Sequence, residues 1–550
     1  VFTTKKLLLR SLSSWSSLSK RDFAALESRL VHKVGLTVKD PILNTDLKTL
    51  GWIQRRIKVT DKDNSLELQL KLPTLLHPQR QELTSAVEAA LREELTAIAG
   101  EKGIDQNSVN VNVEITAAPT VPVVARRPEE HDEVIRNLGP GLAKVAHFLA
   151  VYSCKGGVGK STIAVNLAYE LARLGGRVGL LDVDIYGPSL PTLIHPSDPT
   201  VRRSPIGKGM VEPIEYKGVK LLSLGFVSPD SGVPGSGPDG GAAVMRGPMA
   251  GRVVTQLLKG TDWGELDVLI LDLPPGTGDV QLAVCQDLEL SGAVAVTTPS
   301  KLAATDARKG IQMFTSLGVP TLAAVENMSY FVCEGGVKHF PFGRGTAFSS
   351  DNSNVDFKSS NVFHLPISTL TNDSNDSGEP LCVLRPEAAR DELDVFDELA
   401  TALSKELLLI QHGKSRSDSG GVDDLASVVF GNSNEAFDVT STHLSLDKSK
   451  EGFLVRLFSN DGATQLSLSA DELRSRHPKT GEKLDLGDSA PSDSMVQHHK
   501  AKVPRLMPAK IEKKGRYGYA VEYADGATII YSMLSIAKAA GGSIARKNNY

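Results

Sequence analysis

The 550-residue sequence contains no run of 18 apolar residues, so nothing in it reads as a membrane-spanning helix. Cysteine is scarce: Cys154, Cys285, Cys333 and Cys382 are the whole complement, and no two of them form a CxxC pair. That excludes a disulfide framework and a zinc ribbon, and it suits a reducing compartment. Neither sign of charge dominates. With 61 Lys and Arg against 65 Asp and Glu, there is no global basic field for sequence-independent binding to nucleic acid, so phosphate recognition must be local. Hydrophobic residues at 41% and charged residues at 23% fall in the range of soluble domains. At about 150 residues per domain, the length calls for roughly three to four units.

Acids are missing from the first 21 residues, which hold five Lys or Arg and six Ser around the apolar residues 7–9 and Trp15. This is transit-peptide chemistry, and residues 1–22 are read as an organellar leader, with a disordered basic tail as the alternative. Arg10 and the serines interrupt the apolar core that a secretory signal needs. Further on, Leu66, Leu68, Leu70 and Leu72 alternate with polar residues, as do Val109, Val111, Val113 and Ile115, which predicts two half-buried strands. Between them Leu83, Val87, Leu91 and Leu95 recur every four residues, with Glu82, Arg92 and Glu93 turned outward, which predicts a helix. Residues 23–118 are expected to form a small α+β domain, followed by a linker, 119–142, that starts Pro-rich and basic.

From 143 to 410 the pattern changes to buried apolar strands, FLAVYS, RVGLLD, DVLILD, GAVAVTT and TLAAVEN, separated by helical stretches. The fold class this predicts is α/β, a doubly wound parallel sheet with ligands at the carboxyl ends of its strands. Residues 411–447, which open rich in Ser, Gly and charge, read as a flexible linker. Residues 448–540 read as a small β-rich domain with an internal echo, because two segments repeat strand, DGAT turn and strand; Asp461-Gly462 and Asp525-Gly526 are hairpin signals. Residues 541–550 form a tail.

The segment 154–162, CKGGVGKST, follows one predicted strand and opens a helix. A phosphate-binding loop needs glycines so that backbone N–H groups can approach the anion, a lysine for charge and a hydroxyl for magnesium. Gly156, Gly157, Val158 and Gly159 form the loop, Lys160 reaches the β- and γ-phosphates, Ser161 coordinates magnesium and Thr162 follows at the helix N-terminus. Cys154 stands where the usual pattern has its first glycine, and a second lysine, Lys155, enters the loop, which makes this the deviant, signature-lysine P-loop. Two strand-end carboxylate motifs complete the site. In DVDIYGPS, Asp182 ends the strand and Asp184 opens a switch-like loop, so Asp184 is the candidate for holding magnesium and polarising the attacking water. In DLPPGTGD, Asp272 is the magnesium-side carboxylate, and Gly276 and Gly278 leave a backbone able to move when the γ-phosphate goes.

Taken together, CKGGVGKST, DVDIYGPS, VMRGPM (244–249), DLPPGTGD and VENMSYFVC (325–333) closely resemble the Mrp/ApbC family of iron-sulfur cluster carrier ATPases, over roughly residues 140–410. The resemblance implies ATP and magnesium as cofactors, Asn327 at the adenine edge, and a homodimer in which Lys155 reaches the partner's nucleotide. It also implies an iron-sulfur cluster held at the dimer interface. The segment 38–54, VKDPILNTDLKTLGWIQ, is similar to a PaaD-like domain, and the C-terminal β unit is similar to the small N-terminal domain of γ-butyrobetaine hydroxylases. That order of three units is the order of a plastid branch of the family, which carries 4Fe-4S clusters to client proteins.

Four thiolates make an all-cysteine 4Fe-4S site. Most members of the family carry CxxC after the ENMS segment, whereas here Cys333 is followed by Glu334, Gly335 and Gly336. Cys333 is the candidate cluster ligand, and one per subunit gives two. Cys382 is a second candidate with local packing as its alternative, Cys285 is expected in the core, and Cys154 belongs to the phosphate loop. Where PaaD-like relatives carry a cysteine, this chain has LPTLLHP (72–78). His77 is an outside ligand candidate there and is expected to be a solvated loop histidine, so this domain is read as docking clients or partners.

The expected function is an ATP-hydrolysing scaffold that takes iron-sulfur clusters from assembly proteins and delivers them to apo-proteins. Its expected place is the plastid stroma or the mitochondrial matrix, with no nucleic acid and no membrane span. Two alternatives stand beside it: a Min- or Par-type positioning ATPase, for which GGSIARKNNY offers no basic amphipathic helix, and a nucleotide-binding adaptor without a cluster.

Overall fold

The computed structural model describes residues 20–60, 65–102, 110–123, 137–207, 209–227, 247–276, 278–333, 335–344, 361–412, 437–446, 452–459, 462–470, 473, 508–514, 518–523, 528–532, 535–536 and 539. Several expectations therefore lie outside the described residues: most of the leader, most of both linkers, the first three residues of VMRGPM, Glu334, Asp461, the pair Asp525-Gly526 and the tail. The chain divides into two compact units, one made of Val1–Thr120, Arg173–Arg177 and Ser404–Lys414, the other of the remainder. Among the described residues no helix is long and apolar enough to cross a membrane.

The first unit runs α1 (Lys20–Thr37), α2 (Leu47–Leu50), β1 (Ile53–Thr60), β2 (Ser65–Leu72), α3 (Arg80–Lys102) and β3 (Asn110–Ala117). Strand β2 is central, antiparallel to β1 and parallel to β3, with Leu66 opposite Val111 and Leu72 opposite Ala117. A parallel pair needs a crossover, and α3 supplies it. The four alternating leucines of β2 are buried against Leu83, Val87, Leu91 and Leu95 of α3 and against Leu30 and Val34 of α1. Helix α1 starts at Lys20, inside the segment read as a leader. Strand β1, IQRRIKVT, carried no alternation signal, because paired arginines interrupt its apolar positions.

His77 departs from the sequence expectation. Its side chain is 0% exposed, as is that of Asp40, and Nε2 lies 2.6 Å from Asp40 Oδ2. Asp40 also accepts backbone N–H bonds from Ile42 and Leu43 at 3.0 and 2.6 Å. Burial alone would raise the Asp40 carboxyl, but the bond to His77 and the two backbone donors hold it below the usual carboxylate range. A lone buried carboxylate is costly, and the histidine follows it inside as its partner.

The second unit is built on an eight-stranded sheet in the order β13-β10-β9-β4-β8-β5-β7-β6. These strands are β4 (Val145–Tyr152), β5 (Val178–Asp182), β6 (Ile214–Tyr216), β7 (Val219–Ser223), β8 (Leu266–Asp272), β9 (Gly292–Thr297), β10 (Thr321–Glu326) and β13 (Val362–His364). All neighbours are parallel except β6, which pairs antiparallel with β7 at the edge. Every residue of β4, β5, β8, β9 and β10 is buried. Strands covered on both faces read as continuous apolar runs, which is why these five were legible as sequence. The main helices are α4 (Lys160–Arg173), α5 (Gly247–Lys259), α6 (Asp279–Asp287) and α7 (Lys301–Ser316). A two-stranded hairpin, β11 (Phe331–Val332) and β12 (Lys338–His339), follows β10.

In the C-terminal region, β14 (Phe437–Leu446), β15 (Gly452–Ser459) and β16 (Gly462–Ser469) form one antiparallel sheet, and β17 (Pro508–Lys514), β18 (Gly518–Tyr523) and β19 (Thr528–Ser532) form another. The β15/β16 and β18/β19 hairpins are the two halves of the sequence echo. Phe453, Val455, Leu468, Tyr519, Val521 and Tyr531 share one core.

Candidate nucleotide site and the Cys333 hairpin

The loop after β4 is shaped by its glycines. Gly157 and Gly159 have φ of 77° and 84°, in the left-handed region that other residues avoid. A Cβ at Gly156 or Gly157 would meet no atom within 4 Å, so the backbone there faces open space and an anion can approach its N–H groups. Lys155 is exposed at the start of the loop. Helix α4 begins at Lys160, directing its N-terminus at the same space. Ser153 stitches the loop down, donating to the Lys155 carbonyl at 3.0 Å and accepting the Gly276 N–H on its own carbonyl at 2.8 Å. Asn327 donates from its side-chain amide to the Val158 carbonyl at 2.9 Å, and Asn375 donates to Thr162 Oγ1 at 3.2 Å.

The carboxylates come from neighbouring strand ends. Asp272 and Asp182 are opposite each other in the β8/β5 register, and Ser223 is opposite Asp182 in the β5/β7 register. Lys160, itself buried, forms an ion pair with Asp272 and donates to Ser161 Oγ at 3.1 Å. Burial raises the Asp272 carboxyl, and the Lys160 ammonium opposes that shift. Burial and the neighbouring Asp272 push Asp182 up to about 7. Asp184 is half-buried and accepts the Tyr186 and Gly187 N–H groups, both at 3.2 Å. After Asp272 the chain turns at Gly276, with φ of 97°. Buried Gln281 braces that turn, accepting from Gly278 N–H at 2.8 Å and donating to the carbonyls of Pro274 and Gly276 at 2.7 and 3.1 Å. An ammonium seated between Asp272 and Ser161 shows that this cradle suits a cation, so the residues fit magnesium brought in with a nucleotide.

Cys333 sits at the end of β11, where its N–H donates to the Val337 carbonyl at 3.1 Å and its carbonyl accepts the Gly336 N–H at 2.8 Å. Gly336 has φ of 75°, which the tight return requires. His339 stacks on Phe331, ring centroids 4.9 Å apart, and hydrogen bonds to the Cys333 thiol, which lowers the thiol below its usual range. Phe331, Val332, Val337 and Phe342 are exposed around it. Among the described residues no group of three or more His, Cys, Asp or Glu side chains is placed to hold a metal ion.

Residues 144–404 match the family described as ParA: NUBPL iron-transfer P-loop NTPase. The chain is 36% identical to the iron-sulfur cluster carrier protein of Aquifex aeolicus, over 69% of its own length and 96% of that protein's. The chain belongs to the iron-sulfur cluster carrier family. The carrier protein of Escherichia coli is also 36% identical, over 67% of this chain and 89% of that one. The chloroplastic Fe-S cluster assembly factor HCF101 of Arabidopsis thaliana is 40% identical over 63% of this chain, and the rice protein of the same name 38% over 69%. This chain spans 58% and 64% of those two plant relatives. Among solved structures, a nucleotide-binding protein from Archaeoglobus fulgidus in complex with ADP is 34% identical, covering 46% of this chain and 94% of that one at a TM-score of 0.37.

For a carrier-family chain the four cysteines divide clearly. Cys285 and Cys382 are buried, Cys285 on α6 with its thiol pushed up to about 12 by burial. The Cys382 N–H donates to Asn166 Oδ1 at 3.0 Å. Cys154 lies in the phosphate loop by sequence, but its side chain packs against Gly310 of α7, and burial raises its thiol. Only Cys333 combines a lowered thiol with a site outside the core. The grip of Asp182 on its loop and the brace from Gln281 had no signal in the sequence beyond their place in DVDIYGPS and after DLPPGTGD.

Proposed function

We propose that this carrier-family chain binds and hydrolyses ATP and uses the cycle to load or release an iron-sulfur cluster, 4Fe-4S in type, as a homodimer. The observation that carries the reading is the pairing, in one carrier-family unit, of an open phosphate loop beside strand-end carboxylates with a single exposed hairpin bearing a lowered thiol. Lys160 would hold the β- and γ-phosphates, and Asp184 would orient and polarise the attacking water. Ser161, Asp184 and Asp272 would hold magnesium, which when bound neutralises the phosphate oxygens. Lys155, exposed and free to swing, would serve the partner's nucleotide. Asn327 uses its Nδ2 on the loop, which leaves its Oδ1 for the adenine. Cys333 would contribute one cluster ligand per chain, the partner copy another.

The same reading gives the chain a place and partners: the plastid, apo iron-sulfur proteins as recipients and assembly proteins as donors. We assign residues 1–22 to a leader, 23–118 to a PaaD-like docking domain, 143–410 to the ATPase and 448–540 to a γ-butyrobetaine hydroxylase N-terminal-like domain, joined by linkers. Transfer of a reconstituted cluster to an apo-acceptor tests the coupling. Wild type is expected to respond to ATP and Lys160→Ala is not; equal transfer with and without ATP in wild type removes the coupling. Protein that stays colourless after anaerobic reconstitution removes the carrier function itself.

A further inference from the structure

Asp182 has been given no part in the chemistry, yet it is the hub of the loop that carries Asp184. Its side chain is buried and collects four donors: Asp184 N–H at 3.0 Å on Oδ1, and Ser189 N–H at 2.9 Å, Leu190 N–H at 3.2 Å and Ser223 Oγ–H at 3.1 Å on Oδ2. The loop 183–189 leaves β5 beside Asp184 and comes back at Ser189. One carboxylate therefore ties the start of the loop to its end and anchors both to β7 through Ser223. Inside that ring, Asp184 folds back on the Tyr186 and Gly187 N–H groups. Three of the four donors are backbone amides, whose positions follow from the course of the chain. A single oxygen accepting from the far end of a seven-residue loop fixes its span more strictly than sequence-local turns do.

We propose that Asp182 is a positioning residue for ATP turnover: it staples the 183–190 loop so that the Asp184 carboxylate is held at the strand edge, with Ser223 as its support. This rests on the reading of Asp184 as the group that orients the attacking water. Asp182 touches neither nucleotide nor magnesium in this scheme. It acts only through Asp184.

Two substitutions in the full chain test this. Asp182→Asn keeps the shape but replaces one acceptor oxygen with an NH2 group, which cannot accept, so at least one of the Asp184, Ser189 and Leu190 amides loses its partner. Ser223→Ala removes the one side-chain donor, which comes from β7. The expected result is kcat lower by about tenfold in Asp182→Asn, from the lost buried hydrogen bonds, and lower by about threefold in Ser223→Ala. KM for ATP should stay within about twofold of wild type in both. Hydrogen–deuterium exchange of the 183–190 amides should quicken in both variants while the α4 amides keep wild-type protection.

Unchanged kcat with unchanged exchange overturns the proposal. So does a joint loss of thermal stability, ATP binding and turnover, which marks Asp182 as a packing residue. A wild type that binds ATP without turning it over refutes the ATPase reading. The exchange comparison then still decides the staple, for it if the loop quickens and against it if it does not.

Discussion

The nucleotide edge and the Cys333 hairpin belong to the same unit and are built in opposite ways. At the edge three charged groups are answered within the chain, Lys160 by Asp272 and Ser161, Asp182 by four donors and Asp184 by two backbone amides, while Lys155 is exposed. Its residues come from the ends of β4, β5, β7 and β8, fully or largely buried strands that leave little room for error. The hairpin is two strands of two residues, exposed, with one thiol and one imidazole. Under the proposed function the edge holds an anion with its cation. The hairpin offers one thiol and an apolar border, and under the proposed function a second copy adds a second thiol. Two half-buried thiols make the contrast sharper: Cys154, under α7, is raised by burial, and Cys333, beside His339, is lowered.

The largest effect is expected at the edge. Lys160→Ala should cut phosphate release by about 100-fold or more, since it removes the charge on the transferring phosphate and strips the buried carboxylates of their ammonium. Iron loading of that variant in the absence of ATP should persist; loss of both together breaks the division into two independently built sites. The next effect is at the hairpin. Cys333→Ala should reduce reconstituted iron to the protein's background while leaving turnover of cluster-free protein within about twofold. Cys154→Ala should keep its iron, and a drop there would reverse the assignment of the two thiols.

The smallest effect concerns pH. The thiolate is the form that reacts with alkylating agents, and the bond to His339 lowers the Cys333 thiol, so its alkylation should fade only as pH drops through that lowered value. In His339→Ala the same fading should begin at higher pH. Cys154 should stay slow until pH passes above the usual thiol range, because its burial shifts it the other way. Identical profiles for Cys333 in wild type and His339→Ala would detach the histidine from the thiol.

Much of the edge could be read from sequence because its rules are local. A strand buried on both faces shows as an apolar run, and a loop that must approach phosphate shows as glycines followed by Lys160 and Ser161. What escaped was set by long-range meetings. Asp182 depends on Ser223, 41 residues on, and Gln281 on the carbonyls of a loop behind it. Cys154 points into α7 because Gly310 leaves space there, and nothing near position 154 announces that. The short strands β6 and β13, each of three residues, lack the length for a pattern. His77 was the plain misreading: a histidine between prolines and leucines looks solvated until Asp40, 37 positions earlier, is found beside it.

That buried pair is lopsided, and the lopsidedness bears on how such chains drift over time. Among the described residues Asp40 answers three donors, while His77 answers only Asp40. Losing the carboxylate would strand two backbone amides as well as an imidazole, whereas any residue that brings one donor to the same point could stand in for the histidine. Position 40 is therefore the fixed member and position 77 the one with room to vary. Relatives that kept this carboxylate should show asparagine or glutamine opposite it before they show any change in the carboxylate itself.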